Sequence, residues 1–293
     1  MSAEKRNVKK APRRSSAGLN VLKQMSYNRL AMVGAVILLT EVALALLAPI
    51  IIPYNYASID ITAAMQGPSA AHWFGTDDMG RDILSRILYG ARYSMGMGIL
   101  AVIFGMFFGC IVGSIAGFFG GKVDNIIMRI LDVIQSLPAM VLTIVLSAVL
   151  GAGYFNTILA LSIGGIPANA RLLRAQMLKV RENEYMEAAV SINCGKLHTI
   201  VKHLLPNSFS PMIVSATMGV ASMIVAAAGL SFLGLGVQPP TPEWGAMLSS
   251  SRQFIRTSPH MVIFPGIAIA LTVLSLNLMG DGLRDALDPK LRR

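Results

Sequence analysis

The chain contains apolar segments that are too long for the core of a small soluble domain. They lie at about residues 30–52, 95–120, 138–170, 208–235 and 261–280, and the third is divided by a turn at residues 151–153. Because a bilayer core of about 30 Å requires about 20 apolar helical residues, this pattern predicts six transmembrane helices. A composition of 54% hydrophobic and only 14% charged residues agrees with an all-α, polytopic membrane protein.

The basic residues fall between the apolar segments. Residues 1–29 hold eight Lys or Arg and one acid, which predicts a basic cytoplasmic tail. With six spans, 20 of the 25 Lys and Arg residues lie in segments assigned to the inside. Both termini are therefore expected in the cytoplasm. The basic residues that give the net charge of +10 are expected to set the membrane topology and to contact membrane lipid. No nucleic-acid partner is expected.

The first apolar segment, residues 30–52, is predicted to be an uncleaved transmembrane helix. Glu41 lies near its centre, where an acid costs about 2.5–3.5 kcal/mol on insertion scales. We therefore expect Glu41 to have a partner inside the protein. A direct role of Glu41 in transport is the alternative.

Residues 53–92 are expected to form an extracytoplasmic segment that ends in an interfacial helix with an apolar face. That face consists of Ile83, Leu84, Ile87 and Leu88. Beyond it, residues 93–293 form a predicted core of five helices. The first of these places a glycine at every fourth position, which predicts close helix packing rather than a pore lining. These glycines are Gly105, Gly109, Gly113, Gly117 and Gly121.

A polar, basic island at about residues 175–206 separates two apolar segments. Apolar residues recur in it at helical spacing on two short stretches, and Asn193 and Gly195, which tolerate positive φ, mark a turn between them. The small pair Ala188 and Ala189 allows another backbone to approach closely, with Glu187 at the edge of that contact. A plain connecting hairpin is the alternative interpretation.

Motifs for catalysis and metal binding are not found in the sequence. No phosphate-binding loop of the form G-x-x-x-x-G-K-S/T occurs, so the chain is not expected to hydrolyse ATP or to bind a cofactor. The four His and two Cys residues show no metal-ligand spacing, so no metal site is expected. A gradient-driven transporter should show repeated halves or several buried ionisable groups, and neither is evident.

The island resembles the EAA loop of ABC-importer permeases, in which the sequence E-A-A is followed by a glycine and later by L-P. Glu187-Ala188-Ala189 and Leu205-Pro206 match, whereas Asn193 stands at the family glycine and Gly195 lies two residues later. Resemblance to this loop implies that one set of residues couples the chain to an ATPase. The set is Glu187, Ala188, Ala189, Asn193, Gly195, Leu204 and Pro206.

Three further stretches resemble the C-type permease of the dipeptide, oligopeptide and nickel branch of these importers. They are G-T-D-x-x-G-R-D-x-x-S-R-x-x-Y-G-A-R at residues 75–92, V-Q-P-P-x-P-x-W-G at residues 237–245, and G-D-G-L-R-D-A-L-D-P at residues 280–289. The resemblance covers about residues 30–293. It implies a type I importer permease (MetI-like) fold that works by alternating access in a bacterial or archaeal cytoplasmic membrane.

The same resemblance implies partners and a substrate class. It implies a second, unlike permease, two cytoplasmic ABC ATPases that hold ATP and Mg²⁺, and an extracytoplasmic substrate-binding protein. Dipeptides or oligopeptides are the expected substrates, with nickel or another small solute as the alternative. The residues that bind substrate are not identifiable from the sequence.

Overall fold

The computed structural model describes residues 23–184, 186, 194–195 and 198–287, and this part of the chain is helical without a β-strand. The helices are α1 Arg29–Ile51, α2 Ile83–Phe119, α3 Gly121–Gln135, α4 Ala139–Leu150, α5 Tyr154–Arg181, α6 Leu205–Ser208, α7 Ser210–Phe232, α8 Trp244–Ser251 and α9 His260–Leu287. Short 3₁₀ turns lie at Ile61–Ala63 and Arg252–Phe254, and a π-helical turn lies at Thr199–Leu204. The predicted all-α class is confirmed.

Four helices are long and apolar enough to cross a membrane, namely α1, α2, α7 and α9. The pair α3 and α4 passes the same test only as one segment, and its two helices meet at an angle of 81°. Within the described residues the structure therefore supports four spans, or five if the bent pair is one span. The count of six stays a prediction.

Helices α2 and α5 form the most extensive helix contact among the described residues. A Cβ atom added to Gly109 would lie 2.6 Å from Asn169 Cβ, and one added to Gly113 would lie 2.5 Å from the Ala170 carbonyl oxygen. Gly105 and Gly117 face the same helix. The packing interpretation of the glycine stripe is thus confirmed. Gly121 differs, because it begins α3 and has no neighbour within 4 Å of such a Cβ.

The helix predicted at the membrane interface is not a separate element. Asp82 accepts a hydrogen bond from the Ser85 N–H and so caps α2, which then continues without interruption through Arg92 to Phe119. No proline breaks this stretch of 37 residues, which is about 55 Å long. The predicted boundary at residues 92–93 therefore lies inside one helix.

Residues 121–135 lie between the second and third apolar segments, and their charged residues predict a short inner loop, but this stretch is helical. It forms α3, whose apolar side chains recur at helical spacing in Val123, Ile126, Ile130 and Val133 and remain exposed on the described chain. Its charged residues Asp124 and Asp132 contact α5. The loop prediction was wrong, because the apolar residues of this stretch recur at helical spacing between its charged residues.

Glu41 has the partner that its position in a span requires. Helix α1 packs against α9, and the Thr272 hydroxyl donates to Glu41 Oε2 at 2.9 Å. Close helix contact continues at Gly34, where an added Cβ would lie 2.8 Å from Leu278 Cβ. The expectation of a protein-facing Glu41 is confirmed.

Candidate functional site

Two regions at opposite ends of α2 contain several of the residues singled out in the sequence. The first, called here the polar platform, consists of residues 54–94 and 236–247. The second, the π-turn region, consists of Met186, Cys194–Gly195 and residues 198–212. The polar platform includes the first turns of α2, whereas the π-turn region contacts Met106, Cys110 and Phe118 farther along that helix.

The polar platform is built on buried charges that lie before and at the start of α2. Asp77 accepts hydrogen bonds from the backbone N–H groups of Met79 and Arg81, each at 2.9 Å. The Arg81 Nε–H donates to Asp77 Oδ2 at 2.6 Å, and Arg86 Nε lies 3.5 Å from the same oxygen. Each of these three side chains is under a tenth exposed. Residues of the G-T-D-x-x-G-R-D motif thus bind one another.

Asp82 joins two parts of this segment. One carboxylate oxygen caps α2, and the other lies 2.9 Å from His72 Nδ1. Gly80 adopts φ +73°, and a side chain there would meet the Asp60 carbonyl oxygen at 1.7 Å. The glycine of the motif therefore serves both a left-handed turn and a close backbone approach.

The proline-rich loop at residues 236–243 packs on the same end of α2. The Trp244 indole N–H donates to the Ile87 carbonyl at 3.0 Å, and the Trp244 backbone N–H donates to Ser94 Oγ at 3.0 Å. A Cβ added to Gly90 would lie 1.8 Å from the Pro242 carbonyl oxygen. The sequence motifs at 75–92 and 237–245 are far apart along the chain, but they form one structural unit.

Glu243 is the buried acid of that unit and is 1% exposed. Its carboxylate accepts from the Gly245 and Ala246 N–H groups at 2.9 and 2.8 Å, capping α8, and from Ser94 Oγ at 3.2 Å. Removal from water raises the pKa of Glu243, and these hydrogen bonds only partly oppose that effect. The acid therefore stabilises the platform through hydrogen bonds rather than as a free surface charge.

The π-turn region is fixed to the helices by apolar contacts. A cluster of buried side chains holds it, and its members come from α5, from Met186, from the π-helical turn and from α7. They are Leu173, Met177, Met186, Leu204 and Met212, each at most 4% exposed. Leu204, a residue implied in ATPase coupling, is thus an anchor of the region within its own chain.

The backbone of the π-turn region is irregular at its centre. The Thr199 N–H donates to the Gly195 carbonyl at 2.9 Å, and the Leu205 N–H donates to the Ile200 carbonyl, five residues earlier. Such i→i+5 turns are rare and occur often at functional sites. Pro206 follows at once in the first turn of α6, where its missing N–H costs little.

The residues implied in coupling divide into two groups. Gly195 is exposed, Leu204 is buried, and Pro206 lies in α6. Glu187, Ala188, Ala189 and Asn193 lie outside the described residues. Their coupling roles stay predictions.

Two ion pairs connect α3 to α5 beside the π-turn region. Arg174 forms a bidentate contact with Asp124, and Arg171 Nη2 lies 2.6 Å from Asp132 Oδ1. Hydrogen bonding to Asp124 raises the pKa of the Arg174 guanidinium. Because Arg171 and Asp132 are both well exposed, water screens their attraction.

The structure also brings together three potential metal ligands whose spacing in the sequence predicts no metal site. The ligand atoms of Cys194, His198 and His203 lie within 4.8 Å of one another. This grouping differs from the expectation that the chain holds no metal-ligand set.

An open groove of about 760 Å³ runs along α2 and α7 beside the π-turn region. Its walls include Met106, Cys110, Phe209 and Ile213, and its surface is almost wholly apolar. The groove therefore accommodates apolar surface and offers no charged group to a peptide terminus.

Two protein families match the chain. Residues 109–293 match the family described as "Binding-protein-dependent transport system inner membrane component", and residues 16–68 match the "N-terminal TM domain of oligopeptide transport permease C".

Individual relatives are similar over nearly their whole length. The chain is 46% identical over 270 residues to the dipeptide transport system permease protein DppC of Alkalihalophilus pseudofirmus, covering 92% of this chain and 89% of the relative. It is 48% identical over 264 residues to the glutathione transport system permease protein GsiD of Shigella flexneri, covering 90% and 87%.

Among solved structures, the chain is similar to a chain of the inward-facing MetNI methionine ABC transporter. The TM-score is 0.59 at 17% identity, and the match covers 70% of this chain and 98% of that one. This likeness confirms the MetI-like fold.

Proposed function

The chain belongs to the family of binding-protein-dependent transport system inner membrane components, and we propose that it is the permease subunit of an ATP-driven importer of short peptides. The observation that carries the proposal is 46% identity to a dipeptide permease over 92% of the chain. The glutathione permease relative points the same way, because glutathione and dipeptides are both short peptides with free carboxylates. These names favour peptides over nickel.

The subunit contributes a path through the membrane rather than a catalytic centre. The sequence holds no phosphate-binding loop, which supports assigning ATP and Mg²⁺ to two partner ATPases in the cytoplasm. A second, unlike permease completes the membrane part, and an extracytoplasmic binding protein delivers the peptide. Both termini of the chain lie in the cytoplasm, in keeping with its charge distribution.

Alternating access fits the arrangement of the two regions on α2. The polar platform holds the first turns of the helix, and the π-turn region contacts its second half. An ATPase that pulls on the π-turn region thus acts on the helix that bears the polar platform. The platform lies on the side from which the binding protein delivers its peptide.

Transport itself is tested with the complete importer in proteoliposomes, supplied with its binding protein and ATP. We expect uptake of labelled dipeptide that competes with other short peptides and requires all subunits. Uptake of nickel without any uptake of peptide would refute the peptide assignment while leaving the importer assignment intact.

Coupling is tested at Ala189, which the resemblance places in the docking contact. Ala189→Trp should overpack that contact at about 1–3 kcal/mol and so reduce co-purification of the ATPases by about tenfold. The size-matched control is Ala139→Trp, at an exposed position that begins α4. Full ATPase association of Ala189→Trp would show that the island is an ordinary connector.

A further inference from the structure

The π-turn region contains a group of soft and borderline metal ligands to which the proposed function assigns no role. The ligand atoms of Cys194, His198 and His203 lie within 4.8 Å of one another, and the two imidazole rings are 5.7 Å apart between centroids. Zn²⁺ binds thiolate at about 2.3 Å and imidazole at about 2.0–2.1 Å, so tetrahedral ligands lie roughly 3.5 Å from one another. The remaining gap is at most about 1.3 Å, which is within the range of side-chain rotation.

The local backbone explains why these three residues meet. The Thr199 N–H donates to the Gly195 carbonyl, and this bond holds Cys194, the neighbour of Gly195, near His198, the neighbour of Thr199. The π-helical turn that follows brings residues five apart into line, as the bond from Leu205 N–H to the Ile200 carbonyl shows. His198 and His203 are five residues apart.

The ligand types determine which metal fits. A thiolate with two imidazoles matches Zn²⁺ and other late transition metals, whereas Mg²⁺ and Ca²⁺ prefer oxygen ligands. Three protein ligands leave a fourth position for water. Cys194 is partly exposed and His198 is exposed, so the ion can reach the group from solvent.

We propose that Cys194, His198 and His203 form a Zn²⁺ site. On binding, the Cys194 thiol releases its proton to solvent, and the thiolate and two neutral imidazoles coordinate the ion. The bound ion joins the turn at Cys194–Gly195 to the π-helical turn. A consequence that rests on the proposed function is that Zn²⁺ slows peptide uptake, because it stiffens the segment that contacts the ATPases.

The site is tested by protection of Cys194 from a maleimide in the purified complex. Cys110→Ser leaves Cys194 as the one thiol of this chain, since the sequence has two cysteines. In that parent, Zn²⁺ should slow labelling of this chain at least about tenfold, whereas Mg²⁺ should have no effect. Because loss of an outer-shell partner already costs about 10–100-fold in metal affinity, His198→Gln and His203→Gln should each abolish protection at the same Zn²⁺ concentration.

Two labelling results would overturn the site. One is an equal labelling rate with and without Zn²⁺ in the parent, and the other is protection that persists in the double His198→Gln/His203→Gln variant. Labelling of the variants without metal shows whether the region retains its structure. If the variants are labelled at a different rate without metal, Co²⁺ titration decides instead. A thiolate-to-metal absorption band should then appear with Cys110→Ser and not with Cys194→Ser. Absence of the band in the Cys110→Ser complex would also refute the site.

Uptake in proteoliposomes separates the site from its consequence. Zn²⁺ should slow uptake by the Cys110→Ser complex and leave uptake by the complex with Cys194→Ser unchanged. Protection of Cys194 without any change in uptake would retain the site and refute its regulatory effect. Failure of peptide uptake even without Zn²⁺ would instead count against the proposed function.

Discussion

The polar platform and the π-turn region are stabilised by different kinds of contact. In the platform, buried carboxylates such as Asp77 and Glu243 accept directional hydrogen bonds from nearby backbone and side chains. The π-turn region is instead held by apolar packing, in which its Leu204 and Met212 share a buried cluster with Met177 of α5. Directional bonds between buried groups specify one geometry, whereas methionine-rich packing tolerates small displacements. The platform is therefore suited to hold a fixed shape, and the π-turn region to move against a partner.

The largest effect is expected from a single methyl group in the platform. Gly90→Ala places Cβ 1.8 Å from the Pro242 carbonyl oxygen, so either α2 or the proline-rich loop must shift. This shift should lower the free energy of unfolding by about 3 kcal/mol. Gly266→Ala is the matched control within α9, because its added Cβ has no neighbour within 4 Å. In detergent, the unfolding temperature should be much lower for Gly90→Ala than for the unaltered protein, and it should be unchanged for Gly266→Ala. Equal unfolding temperatures would mean that the platform is as tolerant as the π-turn region.

A smaller effect is expected from Glu243→Gln. The amide group replaces one acceptor oxygen with a donor that faces backbone N–H groups, which should cost about 1–3 kcal/mol. Because burial raises the pKa of Glu243, its contribution is fully present below the ordinary glutamate value of about 4.3 and declines as the pH rises through the raised value.

The unfolding temperature of the unaltered protein, relative to Glu243→Gln, should therefore fall as the pH increases from about 4 to about 8. Measuring both proteins at each pH removes the contribution of other titrating groups. A difference that grows with pH would show that Glu243 stabilises the platform as a charged group.

The smallest effect is expected beside the π-turn region. Asp124→Asn removes the bidentate contact with Arg174 and should cost about 0.5–1 kcal/mol, since Arg174 is partly exposed. Asp132→Asn, at the more exposed pair, should cost less and lie near the limit of detection. Hydrogen exchange of α3 is the sensitive measurement. If Asp124→Asn lowered the stability of the protein as much as Gly90→Ala, the contrast between the two regions would be refuted.

Local patterns were sufficient for the helical class and for the glycine contacts of α2. Each depends on residues close in sequence, such as the four-residue interval from Gly105 to Gly117. The same kind of signal is present for α3 in Val123, Ile126 and Ile130, although its charged residues favour a loop. The sequence gives no reason for a helix boundary at Arg92, because neither a proline nor a capping group interrupts α2 there.

Contacts between distant residues were beyond the reach of the sequence. The bond from Trp244 to Ile87 joins positions 157 residues apart, so the two motifs of the platform did not reveal that they meet. The grouping of His198 with His203 was hidden for a different reason. Five residues on an α-helix are about 140° apart, and only the π-helical turn brings the two rings together.

The length of α2 has a mechanical consequence. At about 55 Å it exceeds the hydrocarbon thickness of about 30 Å, so the helix projects beyond the bilayer or lies steeply inclined. The chain offers no proline hinge within it, and α5 braces it along its glycine face. We expect such a rod to pivot rather than bend. A displacement of one end would then move the other end in the opposite direction, without smaller rearrangements in between.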